Sequence, residues 1–308
     1  MIRLRSGAAY RSDKKVKHKD LALILLVNIL WSSNFLAAKV GLEEFPPLFF
    51  TATRFFIVVL VLLPFISLPH GNWRKIILVG IIMGVLHYWL MFWGLSIAPD
   101  ISSVAIINQT FIPFSTILAV LFLKERIGWQ RSFAILLAFA GVMVIGFDPV
   151  IFANLLSPVL VLVASFLVAL NMVIVRTMQG VSAVNLTFWT SAIGVVPLFL
   201  LSLVIEEGHM TVVRTAGWEQ WTAVAYSAIG ATVVGHGLAN YLIKRYPVST
   251  VAPYYLLVPV LAVLIGVVFW GDVLTPELIS GGLMVMAGVS IITFRSARRQ
   301  EKKAAHDA

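Results

Sequence analysis

The sequence predicts an all-α polytopic membrane protein with ten transmembrane helices arranged as two inverted five-helix repeats. Three observations carry this prediction: the apolar composition, the alternation of basic residues along the chain, and an internal repeat. Of 308 residues, 60% are hydrophobic and 12% charged, against about 45–50% and about 25% in ordinary soluble domains. So few charges cannot cover that much apolar surface in water, and the same hydrophobicity excludes intrinsic disorder. The chain has no cysteine, which excludes a disulfide scaffold.

A spanning helix needs about 20 apolar residues, and ten such runs are bounded by polar, Pro or Gly punctuation. The first is Asp20–Val40, preceded by a basic tail. Leu21–Leu30 followed by Phe35-Leu36-Ala37-Ala38 resembles a signal peptide, but the apolar run continues past a signal core, so it reads as a span. Pro47–Leu68 opens on a Pro-Pro pair, and Lys75–Ala98 stops at Pro99-Asp100. Ile101–Leu123 ends at Lys124-Glu125-Arg126, and Arg131–Phe147 at Asp148-Pro149. Asn154–Val175 and Val184–Ile205 end at Arg176 and at Glu206-Glu207. Trp218–Ile243, Thr250–Trp270 and Glu277–Phe294 complete the set. The chain therefore divides into a basic tail (1–19), a first repeat (20–147), a second repeat (154–294) and a second basic tail (295–308).

With the amino terminus placed in the cytoplasm and the spans alternating, 20 of the 23 Lys and Arg residues fall inside. Only Arg214 falls outside, while Lys39 and Arg54 lie within or at the edge of spans. This is the positive-inside bias of a multi-pass membrane protein with both termini cytoplasmic. The net charge of +9 therefore belongs to the tails and inner loops and is no nucleic-acid footprint.

Ile101–Phe147 aligns without gaps onto Val248–Phe294. Ser102 meets Ser249, Glu125 meets Asp272, and Ala140-Gly141-Val142 meets Ala287-Gly288-Val289. Asn34 and Lys39 likewise match Asn171 and Arg176. Five spans per half is an odd number, so the second half enters the membrane from the opposite face. Inverted repeats are common in secondary transporters, which bind substrate near the midplane between the halves; a receptor or a membrane enzyme has no comparable need for them.

Trp31-x-x-Asn34-Phe35-x-x-x-Lys39, the following Pro46-Pro47 and Arg54, and the Lys124-Glu125-Arg126 turn have a familiar pattern. From Asp20 to Phe294 the chain resembles the EamA-type branch of the drug/metabolite transporter superfamily, and within it the bacterial exporters of amino acids and related metabolites. Ser32-Ser33 departs from that pattern, which commonly has a glycine after the tryptophan. The resemblance implies ten helices, cytoplasmic ends, and a central cavity lined by helices one, three, four, six, eight and nine.

Enzyme chemistry has little support: there is no Gly-x-Ser-x-Gly elbow, His-Glu-x-x-His pair or P-loop. No metal-ligand spacing occurs, and no cofactor is expected. All carboxylates fall in tails, loops or span ends, which argues against an ordinary carboxylate proton relay. The expected partners are a small-molecule substrate and the lipid bilayer. Export of drugs or other hydrophobic compounds is the alternative to export of polar metabolites, and oligomeric state is not legible.

The candidate substrate contacts are Asn34, Lys39, His87, Trp89, Asn108, Ser115, Asn171, His236, Tyr254 and Tyr255. Lys39 shares a helical face with Asn28, Ser32 and Phe35, a stripe suited to a polar cavity. The same residue also reads as snorkelling to the interface or as half of an ion pair. Arg54 reads as structural, paired with Glu43 or Glu44. His87 and His236 occupy matching helices, either as hydrogen-bonded structural residues or as groups that titrate near neutrality. Asn108 and Ser115 share a face, and Tyr255 is the repeat counterpart of Asn108. Their alternative is ordinary interhelical hydrogen bonding. Trp89, with Trp93, fits a cavity wall or an interfacial anchor equally. Pro113 in helix four and Pro253 and Pro259 in helix nine interrupt corresponding spans, as around transporter binding sites.

Overall fold

The computed structural model describes residues 16–68, 72–124, 127–178, 180–246 and 251–306. Among these residues there are helices and no strands, and ten helices are long and apolar enough to span a membrane. In chain order they are α1 (His18–Gly41), α2 (Pro47–Phe65), α3 (Trp73–Ile97), α4 (Ile101–Phe122) and α5 (Trp129–Gly146). The second half contributes α6 (Leu156–Arg176), α7 (Ala183–Ile205), α8 (Trp218–Ile243), α9 (Ala252–Trp270) and α10 (Pro276–Arg298). The backbone of α10 continues as helix to His306. Residues 1–15 of the first tail and Glu125, one side of the Glu125–Asp272 match, lie outside the described residues, as does Ser249.

The helices pack so that the neighbours of each are mirrored by the neighbours of the helix five places on. α1 packs along α8 and α9, and α6 along α3 and α4. α2 meets α7, α4 meets α9, and α5 meets α10. Two inverted halves require this exchange. The apolar side chains facing lipid, such as Leu121, Leu136, Leu200 and Leu283, are exposed because no water-facing surface is needed there. Close approach is secured where Cβ atoms are missing. A Cβ on Gly84 of α3 would lie 2.3 Å from the Thr190 carbonyl of α7, and one on Gly141 of α5 would lie 2.5 Å from the Gly281 carbonyl of α10.

Two pairs of matching spans, α3 with α8 and α4 with α9, are irregular on the cavity side of the bundle. α3 is π-helical over Gly80–His87 and α8 over Tyr226–Gly235. α4 is broken at Gln109–Thr110, between Ile101–Asn108 and Phe111–Leu123. α9 begins as 3-10 helix over Ala252–Leu256 and becomes α-helical at Leu257. Pro113 and Pro259 each stand third in the downstream piece. In the first turn of a new helix a missing N–H costs little, so these prolines begin a piece of helix rather than kink an existing one.

Candidate functional site

A cavity of about 540 Å³ lies inside the bundle, within the size range of small-molecule sites. It starts midway along α1, at Trp31, Asn34 and Phe35, and its wall reaches Arg131, Arg176, Ile243 and Ser296, at the end of the bundle where α1 begins. The six helices implied by the family resemblance all contribute. Arg54 of α2, Arg131 of α5 and Ser296 of α10 also line the wall.

The irregular segments set its chemistry. The break in α4 falls at Asn108 and Gln109, and the 3-10 turn of α9 carries Tyr255, all on the wall. In the π-helical part of α8, the Thr232 hydroxyl donates to the Ser227 carbonyl five residues back, at 2.8 Å. Ser227 donates in turn to Asn34 Oδ1 at 2.6 Å. The Trp31 indole donates to the Ala231 carbonyl at 3.2 Å. Its ring lies between those of His236 and Tyr255, with centroids 5.2 Å from each. A Cβ on Gly235 would come within 2.7 Å of the indole nitrogen, so the absence of a side chain there makes room for it.

Arg54 is the charge placed deepest in the wall. It is 3% exposed, and its Nη2 donates to Thr232 Oγ1 at 2.6 Å. The guanidinium carbon stands 4.8 Å from the ring centroid of Tyr88 and 5.2 Å from that of Phe92. Its Nε and Nη1 are buried without a hydrogen-bond partner. The Tyr255 hydroxyl is also buried and unpartnered. Among the described residues, the charged side chains lining the cavity are Arg54, Arg131 and Arg176, with no carboxylate.

The opposite end of the bundle is sealed. The Lys39 ammonium donates to three main-chain carbonyls where α3 ends: Leu95 at 2.8 Å, Ser96 at 3.1 Å and Ala98 at 2.6 Å. A helix C-terminus leaves such carbonyls unpaired and carries partial negative charge, so a cation fits there. The Asp272 carboxylate accepts from the Ile101 and Ser102 amides, at 3.1 and 2.8 Å, and from the Ser102 hydroxyl at 2.5 Å, at the start of α4. Gly266 leaves room for this carboxylate, since a Cβ there would lie 2.1 Å from Asp272 Oδ2. Beside it, Asp100 caps α4 through the Ser103 amide at 2.5 Å. Burial pushes its carboxyl above the usual range, an effect that the bonds to Ser103 oppose. Beneath this layer pack Phe45, Phe49, Phe50 and Phe92.

Of the residues singled out in the sequence, Asn34, Asn108, Ser115, His236 and Tyr255 come together on the cavity wall. The other five stand elsewhere. Lys39 is 8% exposed and bound to main-chain carbonyls, so it neither snorkels nor reaches the cavity. Of the stripe it shares, Phe35 alone lines the wall, while Asn28 and Ser32 bond back to their own helix. His87 is buried between helices, its Nδ1 2.9 Å from the Ala164 carbonyl, so the two matching histidines have different surroundings. Trp89 stacks on Trp93 at 6.0 Å, Tyr254 is 38% exposed, and Asn171 has a buried, unpartnered carbonyl oxygen outside the lining. Arg54 does not pair with Glu43 or Glu44, which are exposed; aromatic rings and Thr232 surround it instead. Sequence reasoning missed Tyr88 and Thr232. Their signal was the π-helical segments beside them, which residue spacing does not reveal. Among the described residues, no three His, Asp or Glu side chains group as a metal site.

A bundle of ten apolar helices around a one-ended cavity whose wall carries several polar and cationic groups invites comparison with known transporters. A model of the EamA-like transporter family matches the chain twice, over residues 19–147 and 155–294. A protein of Escherichia coli K12 named "Probable amino-acid metabolite efflux pump" is 27% identical over 288 residues, covering 91% of this chain and 96% of its own. Its namesake in Salmonella typhimurium is 28% identical over 292 residues, with the same coverage. A solved crystal structure superposes with a TM-score of 0.62 at 19% identity, covering 92% of this chain and 99% of the other, and so shares the fold. With both of its halves matched by the family model, the chain belongs to the EamA-like transporter family and is a multi-pass membrane transporter.

Proposed function

We propose that the protein is a secondary transporter of a bacterial inner membrane that exports small polar metabolites, amino acids or their derivatives, by alternating access. The observation that carries this reading is the one-ended cavity, whose largely apolar wall is set with the polar groups of Asn34, Asn108, Ser115, His236 and three arginines and is sealed beyond Phe35 by Lys39, Asp272 and the phenylalanine layer. Rocking of two inverted halves exchanges which end is sealed. The positive-inside pattern assigns the open end to the cytoplasm, where an exporter loads. The substrate contacts proposed are Asn34, Asn108, Ser115, His236 and Tyr255, between repeats 20–147 and 154–294. The names of the two efflux-pump relatives support the amino-acid class, and three wall arginines disfavour neutral hydrophobic compounds. The test is metabolite profiling of the medium from cells overexpressing the chain against an empty vector. Enrichment of amino acids or their derivatives is expected, reduced by about tenfold when a substrate hydrogen bond is lost in Asn108→Ala. Enrichment confined to apolar compounds overturns the reading.

A further inference from the structure

Arg54 presents a problem of energy that the fold alone does not solve. A guanidinium stays protonated in proteins, and burying it without a counter-charge costs several kcal/mol unless its donors are satisfied. Here two of its three nitrogens lack a hydrogen-bond partner, and no carboxylate lines the cavity among the described residues. The faces of Tyr88 and Phe92 recover part of that cost by cation–π attraction. Neither ring supplies a counter-charge, and the Tyr88 hydroxyl beside the guanidinium is a neutral acceptor. The Thr232 hydroxyl fixes one nitrogen and is itself committed to Ser227, so it holds the fork in place.

The charge is also one-sided. α2 carries Arg54, whereas α7, the helix five places on, has no charged residue from Ala183 to Ile205. The charge of Arg54 therefore has no counterpart on the matching helix, and a solute with one anionic group is oriented by it.

We propose that Arg54 receives the carboxylate of the transported solute, so that the protein selects molecules with a free carboxylate over their neutral or cationic analogues. This deepens the amino-acid reading and rests on it. A carboxylate matches the planar fork of arginine through charge-assisted hydrogen bonds. An ammonium group on the same solute meets no acid in the wall. It is left the Asn34 and Asn108 carbonyl oxygens and the faces of Trp31, Tyr88 and Tyr255. Loss of the carboxylate is therefore more damaging to binding than loss of the amine.

The test is thermal stabilisation of the purified full-length protein by each proteinogenic amino acid, its amide and its decarboxylated amine, followed by counterflow in proteoliposomes for those that bind. For the amino acids that stabilise the wild type, the amide and the amine are expected to bind at least about tenfold more weakly, as one lost charge-assisted bond predicts. In Arg54→Gln the acid weakens by at least about tenfold while the amide changes less than about twofold. Arg54→Lys, which keeps the charge and loses the fork, falls between. Equal binding of acid and amide by the wild type overturns the proposal while leaving amino-acid transport standing. It needs no variant, so misfolding of Arg54→Gln does not obscure it. Equal weakening of acid and amide in a folded Arg54→Gln also overturns it, because a purely structural arginine acts that way. If no amino acid or derivative binds the wild type, the amino-acid reading falls, and the proposal falls with it.

Discussion

Lys39 and Arg54 are both buried cations in spans of the first half, and the structure gives them opposite surroundings. Lys39 is saturated: three carbonyls at the end of α3 occupy its three donors. Arg54 is held by one bond and two ring faces, with donors to spare. Sequence made both conspicuous as charges in apolar runs, but a main-chain carbonyl has no letter in a sequence, so the partners of Lys39 were illegible. For the same reason the Asn28–Ser32–Phe35–Lys39 stripe reads in the sequence as suited to a polar cavity as well as to snorkelling or an ion pair, and the main-chain partners of Lys39 fit none of these. Lys39→Met is expected to slow transport of every solute alike and to leave discrimination between acid and amide unchanged. Each charge-assisted bond is worth about 1.5–3 kcal/mol, so the sealed end opens more readily by about tenfold or more. Transport rates for a carboxylate solute and for a neutral one, at matched expression, check this. A loss confined to carboxylate solutes would place Lys39 in the pathway.

At the scale of the helix, spans were legible and their interiors were not. All ten predicted spans begin within two residues of the observed helix, since hydropathy fixes where a chain leaves the membrane. The π-helical segments of α3 and α8 left no such trace, because π and α segments share the same apolar composition. The prolines pointed to the right helices, but the breaks fall beside them, at Gln109–Thr110 and at Leu256–Leu257. Contact between α3 and α7 depends on two missing side chains: a Cβ on Gly194 would lie 2.6 Å from the Gly84 carbonyl, and one on Gly84 would lie 2.3 Å from the Thr190 carbonyl. Gly84→Ala is therefore expected to destabilise the protein by about 1–3 kcal/mol, the cost of overpacking. Gly237→Ala, where a Cβ meets nothing within 4 Å, is expected to be neutral or stabilising by helix propensity. Thermal melting of both purified variants checks the contrast. An equal loss in the two would remove the close packing as its cause.

For the whole molecule, charge alternation and the internal repeat make the ten-helix, two-half architecture legible in the sequence. The mirrored packing of α1 on α8 and α9 and of α6 on α3 and α4 fits that repeat. What the repeat could not foretell is where the halves differ: His236 in the cavity wall and His87 away from it, a cation in α2 and none in α7. The histidines differ because one conformation seals one end only, so matching residues meet unlike neighbours, whereas the cation differs because the two repeats differ in sequence there. The absence of cysteine makes sidedness directly measurable. Single-cysteine variants at Thr116 and Ser296, both on the wall, are expected to react with an impermeant maleimide in inside-out vesicles and not in right-side-out ones. Ala98→Cys, at the sealed end and buried, is expected to react slowly in the first preparation. The opposite sidedness would invert the assignment of the cytoplasmic end, and with it the direction of loading.

The lock at the sealed end is written almost entirely in backbone. Lys39 grips carbonyls, Asp272 grips amides, and Glu206 accepts from the Leu48 and Phe49 amides at the start of α2. Those atoms are the same whichever amino acid bears them. A lineage can therefore exchange Leu95, Ser96, Ala98, Ile101, Leu48 or Phe49 for other side chains of similar bulk and keep the closure, provided the three ions stay. The exception is proline at Ile101 or Ser102. The first turn of a helix ordinarily accepts proline, but here it would delete a donor on which the seal depends.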